Sequence, residues 1–325
     1  MAHTSTSTSV PVVTGEELTA RLLATPRPGE HNILAYYEHR LGVVCREPRL
    51  MLLPLDDHLA HRGYGIFETV KYVDGRMYQF EEHLNRMRNS AAGIHLQPPC
   101  PWEEIREIIL QTAAAGGERT GMMRMLLGRG PGGFGIDPAE SPQSSLYIVA
   151  YRFTPRTEEW YLKGLKGFRT SIPAKQGYLA RIKNANYLPN VLMVREAHSK
   201  GMDVPFCFNE QGFLAESAIA NICLVNREGV LEVPTFTNAL PGTTIRRALE
   251  LLDGTVTHVL RPVREEDILN ASEVLMPGTG PDCVSVVEYE GRARGDGKEG
   301  KTAGLLRRLN RDDSKEKGTP IAGRW

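Results

Sequence analysis

Lys183, in the stretch ARIKNANYLPN, stands beside Ile182 and two asparagines, where a solubilising charge would gain little. A buried lysine titrates low enough to act as a nucleophile or to form a Schiff base with a carbonyl, whereas an exposed one is an ordinary ion-pairing residue. Glu216, in GFLAESAIAN, lies between apolar residues. A carboxylate there needs a cationic or hydrogen-bonding partner, or accepts a raised pKa; a protonated heterocyclic nitrogen or a structural arginine would serve. In PGTTIRRALELL, the residues Ile245, Ala248, Leu249 and Leu252 form one stripe, so a helix begins near Gly242 with Thr243 and Thr244 in its first turn. The unpaired N–H groups and positive dipole of such a turn hold a phosphate, with threonine hydroxyls as further donors; simple threonine capping is the alternative.

Other motifs carry less. GRGPGGFG lacks the Gly-Lys-Ser/Thr ending of a phosphate loop and reads as flanked by strands on both sides. HLAH at 58 to 61 supplies two histidines without a third ligand at a useful spacing, so no metal is expected.

The elements that must position these residues follow from periodicity and punctuation. MAHTSTSTSV reads as a disordered tail and GEELTARLLA as a helix, with residues 1–30 expected as a flexible extension. RLMLLPL at 49 to 55 reads as a strand, and GIFETVKYVDGRMYQF as a hairpin about Val73-Asp74-Gly75-Arg76. A helix follows over Glu81 to Ala92 with Leu84, Met87 and Ala91 on one face and Arg86 off it; Pro101 opens another, whose Ile105, Ile108 and Ile109 face a core. MMRMLL and SLYIVAY are strands around the glycine-rich GRGPGGFGIDP. Residues 31–155 then form a small α+β domain, 156–164 a linker, and 165–325 a larger domain. In the latter, VPFCF, ANICLV, VLEVP, EVLMP and CVSVVEYEG are strands, with helices near 188–199 and 242–252. Strands mixed with segregated helices suggest a curled sheet or barrel. The mixed-sign segment GRARGDGKEGKTAGLLRRLNRDDSKEK reads as a solvated terminal helix.

Composition narrows the partners. With 325 residues, 41 % of them hydrophobic, the chain buries enough core for two domains. Lys plus Arg number 39 and Asp plus Glu 39, so no global field favours nucleic acid or an anionic membrane, and small molecules or a second copy are expected instead. Five scattered cysteines argue against a secreted disulfide framework and for a reduced, cytoplasmic setting. No apolar run reaches the ~20 residues of a membrane span.

Taken in order, HRGYGIFETVKYVDG, EEHLNRMRNSA, IKNANYLPNVL, GFLAESAIANICLV, LPGTTIRRALELL and EVLMPGTGPDCVSV resemble the class IV, or fold type IV, pyridoxal-phosphate enzymes over roughly residues 50 to 310. That family includes branched-chain and D-amino-acid aminotransferases, (R)-selective amine transaminases and aminodeoxychorismate lyases. The resemblance implies a two-domain α+β fold, with a small sandwich-like N-terminal domain and a larger pseudo-barrel, and a homodimer. It implies that Lys183 forms the Schiff base with pyridoxal phosphate, that Tyr187 neighbours the cofactor and that Glu216 pairs with its ring nitrogen. Arg86, Gly242, Thr243, Thr244 and Thr279 would hold its phosphate. Phe67, Lys71, Arg124, Phe134 and Gly280 would face the substrate.

The expected activity is transfer of an amino group between an amino acid, either a D-amino acid or an apolar or branched-chain one, and a 2-oxo acid. The hairpin region looks closer to the D-amino-acid aminotransferase and lyase branches. GPGGFGIDP, however, has no match for the arginine and histidine with which the former hold the substrate carboxylate, and Phe134 stands where the lyases usually carry an arginine. Arg124 aligns with a substrate-side arginine of the branched-chain enzymes. An aminodeoxychorismate lyase, and a non-catalytic relative that only binds pyridoxal phosphate, are the alternatives.

Overall fold

The computed structural model describes residues 9–321. The tail expected before residue 9 lies outside the described residues. Within the stretch 1–30, Gly15–Ala24 is a helix closed at its start by Thr14 and Glu17 as a capping box. None of its residues is buried.

Two curled sheets organise the α+β chain. The first has seven strands in the order Thr319–Pro320, Arg76–Met77, Gly65–Val73, Gly121–Gly128, Ser145–Tyr151, Ile33–Glu38, Val43–Cys45. Every pairing in it is antiparallel. Asp74 and Gly75 link its central hairpin with positive φ at both positions, the conformation that a two-residue turn between twisted strands requires. The run after the turn is a strand only at Arg76–Met77, because Gln79 turns left-handed and starts the helix Phe80–Gly93. Leu84, Met87 and Ala91 of that helix are buried, and with Ile105, Ile108 and Ile109 of the helix Trp102–Ala115 they pack into the core formed with this sheet.

The second sheet has nine strands and is mixed. Asp282–Tyr289 runs parallel to Leu165–Arg169, which runs parallel to Val204–Phe208, while Glu273–Gly278 and Cys223–Val225 pair antiparallel on the other side. The helix Thr243–Leu252 packs Ile245, Ala248 and Leu252 against it.

Two expectations are corrected, those for RLMLLPL and for the terminal helix. RLMLLPL is not a strand: Pro48–Leu50 is one 3-10 turn, and Leu52, Leu53 and Leu55 are exposed, Leu55 at 82 %. Pro54 has no N–H to give a ladder and the run lacks alternation; the strands at that end of the sheet are Ile33–Glu38 and Val43–Cys45. The expected linker contains a helix, Glu158–Lys163. The terminal helix, Lys301–Lys317, is not a solvated one: Ala303 and Leu306 enter a core, and Arg307, Asn310 and Asp313 are buried as well. Asp313 accepts from Arg247 at 2.8 Å and from Tyr78 Oη at 2.7 Å, so the charges that suggested solvent serve as internal hydrogen-bond partners.

Candidate active site

Lys183 sits in a short loop between the helical turn Gly177–Ala180 and the helix Leu188–Lys200. The loop is bonded to the first sheet. Phe67 N–H donates to the Lys183 carbonyl at 2.9 Å, Ala185 N–H to the Gly65 carbonyl at 2.9 Å, and Lys183 N–H to Ser90 Oγ at 3.1 Å. The asparagines fix its shape. Asn184 Nδ2 donates to the carbonyls of Leu179 and Ile182, both at 3.1 Å, and its Oδ1 accepts from Asn186 N–H at 3.0 Å. This backbone lock aims the lysine: Nζ lies 3.4 Å from Tyr187 Oη and 4.6 Å from the Phe67 ring centroid. Phe67 and Tyr187 meet edge to face, centroids 4.7 Å apart.

Burial, and then the Arg86 guanidinium, push the Lys183 amine from the usual 10.5 to about 8. An amine so placed is partly neutral near pH 7 to 8, which a nucleophile or a proton acceptor requires.

Arg86 grips Glu68 through Nε at 2.6 Å and Nη2 at 2.9 Å. Glu68 is wholly buried, and despite the cost of that burial the paired Arg86 and His83 hold its carboxyl well below the usual carboxylate range. His83 Nδ1 is 2.9 Å from Glu68 Oε2, and its Nε2 is 3.2 Å from Thr243 Oγ1. Burial keeps the His83 imidazole neutral by lowering its pKa, so the pattern assigns Nδ1–H as donor to Glu68 and the Thr243 hydroxyl as donor to Nε2. A chain of four side chains thus joins the arginine on one domain to the helix start on the other. Sequence reading missed Glu68 and His83. The available signal was a carboxylate inside the β run GIFETVK, three residues short of Lys71, followed by a histidine one helical turn before Arg86.

The same pocket is bordered by Glu216, Gly242, Thr243, Thr244 and Thr279. Gly242 caps the helix Thr243–Leu252 without a side-chain hydrogen bond, so its first N–H groups keep no side-chain acceptor. A Cβ at Gly242 would fall 2.2 Å from Asn221 Oδ1, which is why the cap carries none. The Glu216 carboxylate accepts one bond among the described residues, from Leu240 N–H at 3.2 Å, and burial lifts its pKa from 4.5 to about 7. Lys175, a second residue missed in the sequence, holds its Nζ 4.2 Å from the Tyr187 ring centroid and favours the charged Glu216.

The structure brings Lys183, Tyr187, Arg86, Glu216, Gly242, Thr243, Thr244 and Thr279 around one pocket. Of the residues expected to face a substrate, Phe67 abuts Lys183, and Arg124 lies over the Phe67 ring at 4.9 Å with a buried Nε that has no hydrogen-bond partner among the described residues. Lys71 is buried in an ion pair with Asp282, and Gly280 shares a neighbouring cavity with it. Phe134 is not at the pocket of its own chain: it is 68 % exposed and lies against His61, on a loop whose Gly135 carbonyl accepts from Arg62 at 2.9 Å.

The donor set has a defined chemistry. Arginine, threonine hydroxyls and a helix start favour a phosphate; a carboxylate poised near neutrality favours a protonatable ring nitrogen; a partly neutral lysine favours a reactive carbonyl.

Residues 65–289 match the family model described as Amino-transferase class IV. The chain belongs to that family. It is 33 % identical over 316 residues to a chloroplastic D-amino-acid transaminase of Arabidopsis thaliana, covering 95 % of this chain and 83 % of that one. It is 26 % identical over 261 residues to a branched-chain-amino-acid aminotransferase of Pseudomonas aeruginosa, covering 77 % of this chain and 84 % of the relative. In fold it is similar to the branched-chain amino acid aminotransferase of Thermobaculum terrenum solved in its PLP-bound holo form, with a TM-score of 0.78 at 19 % identity, covering 90 % and 99 % of the two chains. The expected two-domain α+β architecture of the class IV aminotransferases is therefore the architecture of this one.

Proposed function

We propose that this class IV aminotransferase uses pyridoxal 5'-phosphate to move an amino group from an α-amino acid, a D-amino acid or an apolar or branched-chain one, to a 2-oxo acid. The observation that carries the reading is the convergence of a lysine at about 8, a buried carboxylate at about 7 and the Arg86, Thr243 and Thr244 cradle on one pocket. When bound, the cofactor supplies an electrophilic carbon and a ring that accepts electrons from the substrate's α-carbon.

The protein's own residues do the rest. Arg86, Thr243, Thr244, Thr279 and the open helix start above Gly242 bind the phosphate. Glu216 holds a proton at the ring nitrogen, and its carboxyl, poised near neutrality, gives that proton a strong partner. Lys183 would hold the cofactor's reactive carbon through Nζ, and its amine, partly neutral near pH 8, would take the substrate's α-proton and return it. Tyr187 and Phe67 wall the amine and exclude water. Arg124, whose Nε lacks a hydrogen-bond partner among the described residues, orients the substrate carboxylate.

The active unit is a homodimer and works in the cytoplasm. Exposed apolar side chains on the helix after the lysine loop, Leu188 and Val191, support the first. Five free cysteines support the second. Among the described residues no helix is long and apolar enough to cross a membrane.

The test is a single-turnover assay of the cofactor-loaded protein with D- and L-amino acids one at a time. We expect one equivalent of 2-oxo acid per subunit without an acceptor and continuous turnover only with one. Continuous release of pyruvate from aminodeoxychorismate without an acceptor would make the protein a lyase. Unchanged activity in Lys183→Ala would sink the assignment of the lysine.

A further inference from the structure

Beside Lys71 opens a cavity of about 500 Å³, within the size range of small-molecule sites. Its walls come from the hairpin, the segment between the sheets and the terminal helix, and they carry five cationic and three acidic side chains around Phe153, Pro155 and Tyr161. Some of these charges are spent: Lys71 on Asp282, and Arg311 on Glu158 at 2.6 Å. Two are not. Arg156 stacks on Trp160 at 5.2 Å, Arg76 donates to the Gly318 carbonyl at 2.8 Å, and neither joins an ion pair among the described residues.

The cavity neighbours the pocket of Lys183. Phe67 and Lys71 project from one face of the same strand, since side chains two and four apart share a face. The Phe67 ring lies 4.6 Å from Lys183 Nζ, while Lys71 lines the cavity. On the opposite wall, Thr279 borders the pocket and the next residue, Gly280, borders the cavity. Roughly 13 Å of strand separates Phe67 from Lys71, more than the length of an amino acid. The cavity therefore lies outside the reacting centre and beside it.

We infer that this cavity is an entry chamber that captures dicarboxylic amino and 2-oxo acids, pairing their carboxylates with Arg156 and Arg76 before they reach Lys183. The inference rests on the aminotransferase reading for its substrates. Its chemistry is that of excess positive charge in a walled cleft, which concentrates anions and favours two negative charges over one.

Glutarate tests it, because it has two carboxylates and neither an amine nor a reactive carbonyl; butyrate is the singly charged control. Calorimetric titration of the cofactor-loaded dimer should show saturable glutarate binding that weakens with added salt, and butyrate binding at least about tenfold weaker. Arg156→Ala should weaken glutarate about tenfold, and Arg76→Gln provides the same test should the first variant fold poorly. Equal affinity for the two ligands, or glutarate binding that Arg124→Ala abolishes and Arg156→Ala and Arg76→Gln leave alone, overturns the chamber. Failure of the aminotransferase reading appears elsewhere, as absence of 2-oxo acid in the single-turnover assay, and leaves the glutarate titration readable.

Discussion

Burial moves Lys183 and Glu216 toward their neutral forms, and each shift is a statement about folding stability. For Lys183 the folded value, about 8, is below the usual 10.5, so the folded state binds its proton less tightly than the unfolded chain does. Stability associated with this group is present above pH 10.5 and is lost as pH falls towards 8. Lys183→Met should therefore stabilise the cofactor-free protein at pH 7 by about 1–3 kcal/mol while abolishing turnover. The gain in denaturant midpoint should shrink as pH rises to 10.5, and a variant less stable than its parent at pH 7 would contradict the burial argument. For Glu216 the sign reverses, because the folded value, about 7, exceeds the ordinary 4.5. Its contribution is complete below pH 4.5 and is lost as pH rises through 7. Glu216→Gln should match the parent at pH 4.5 and exceed it at pH 8, again by about 1–3 kcal/mol; equal stability at both values would remove the basis for its poised proton. Both residues were legible as chemistry because each is a charge set among apolar neighbours. Glu68 and His83 were not, since their work depends on partners far apart in the chain.

At the scale of elements, what was legible followed period and punctuation. The Asp74-Gly75 turn and the helix bearing Arg86 have local signals that tertiary packing did not override. The strand Ile33–Glu38 and the fate of RLMLLPL were not legible, because a short apolar run does not say which of two neighbours enters a sheet. The terminal helix misled for another reason. Its charges suggested water, yet Arg307 and Asp313 are buried with partners supplied by Glu299 and Arg247, residues that no spacing within the helix reveals. The helix is thus a core element, and Leu306→Ala should cost about 2–4 kcal/mol in a urea titration. A loss under about 0.5 kcal/mol, typical of solvated positions, would restore the sequence-based reading.

The whole molecule sets the site between two sheets, so neither domain completes it. Arg86 and the strand face with Phe67 come from the first; Glu216, Thr243 and Thr279 come from the second; the lysine loop is bonded across to the first by Phe67 and Ala185. Around that loop, apolar side chains face outward on both flanks: Tyr178 and Leu179 before it, Leu188 and Val191 after it, with Leu188 67 % exposed. Large apolar side chains left exposed around a functional loop mark an association surface when their alternative is water. Here it lies where association would brace the lysine itself. Leu188→Asp combined with Val191→Asp places two charges on that surface without touching the pocket lining, so it should convert a dimer to a monomer in sedimentation velocity at micromolar concentration. Because the helix that carries them begins immediately after Tyr187, the monomer should also lose most of its turnover while keeping its far-ultraviolet circular dichroism. A double variant that remains dimeric would show that the copies meet elsewhere. A parent protein that is monomeric and fully active would show instead that this face serves something other than the site.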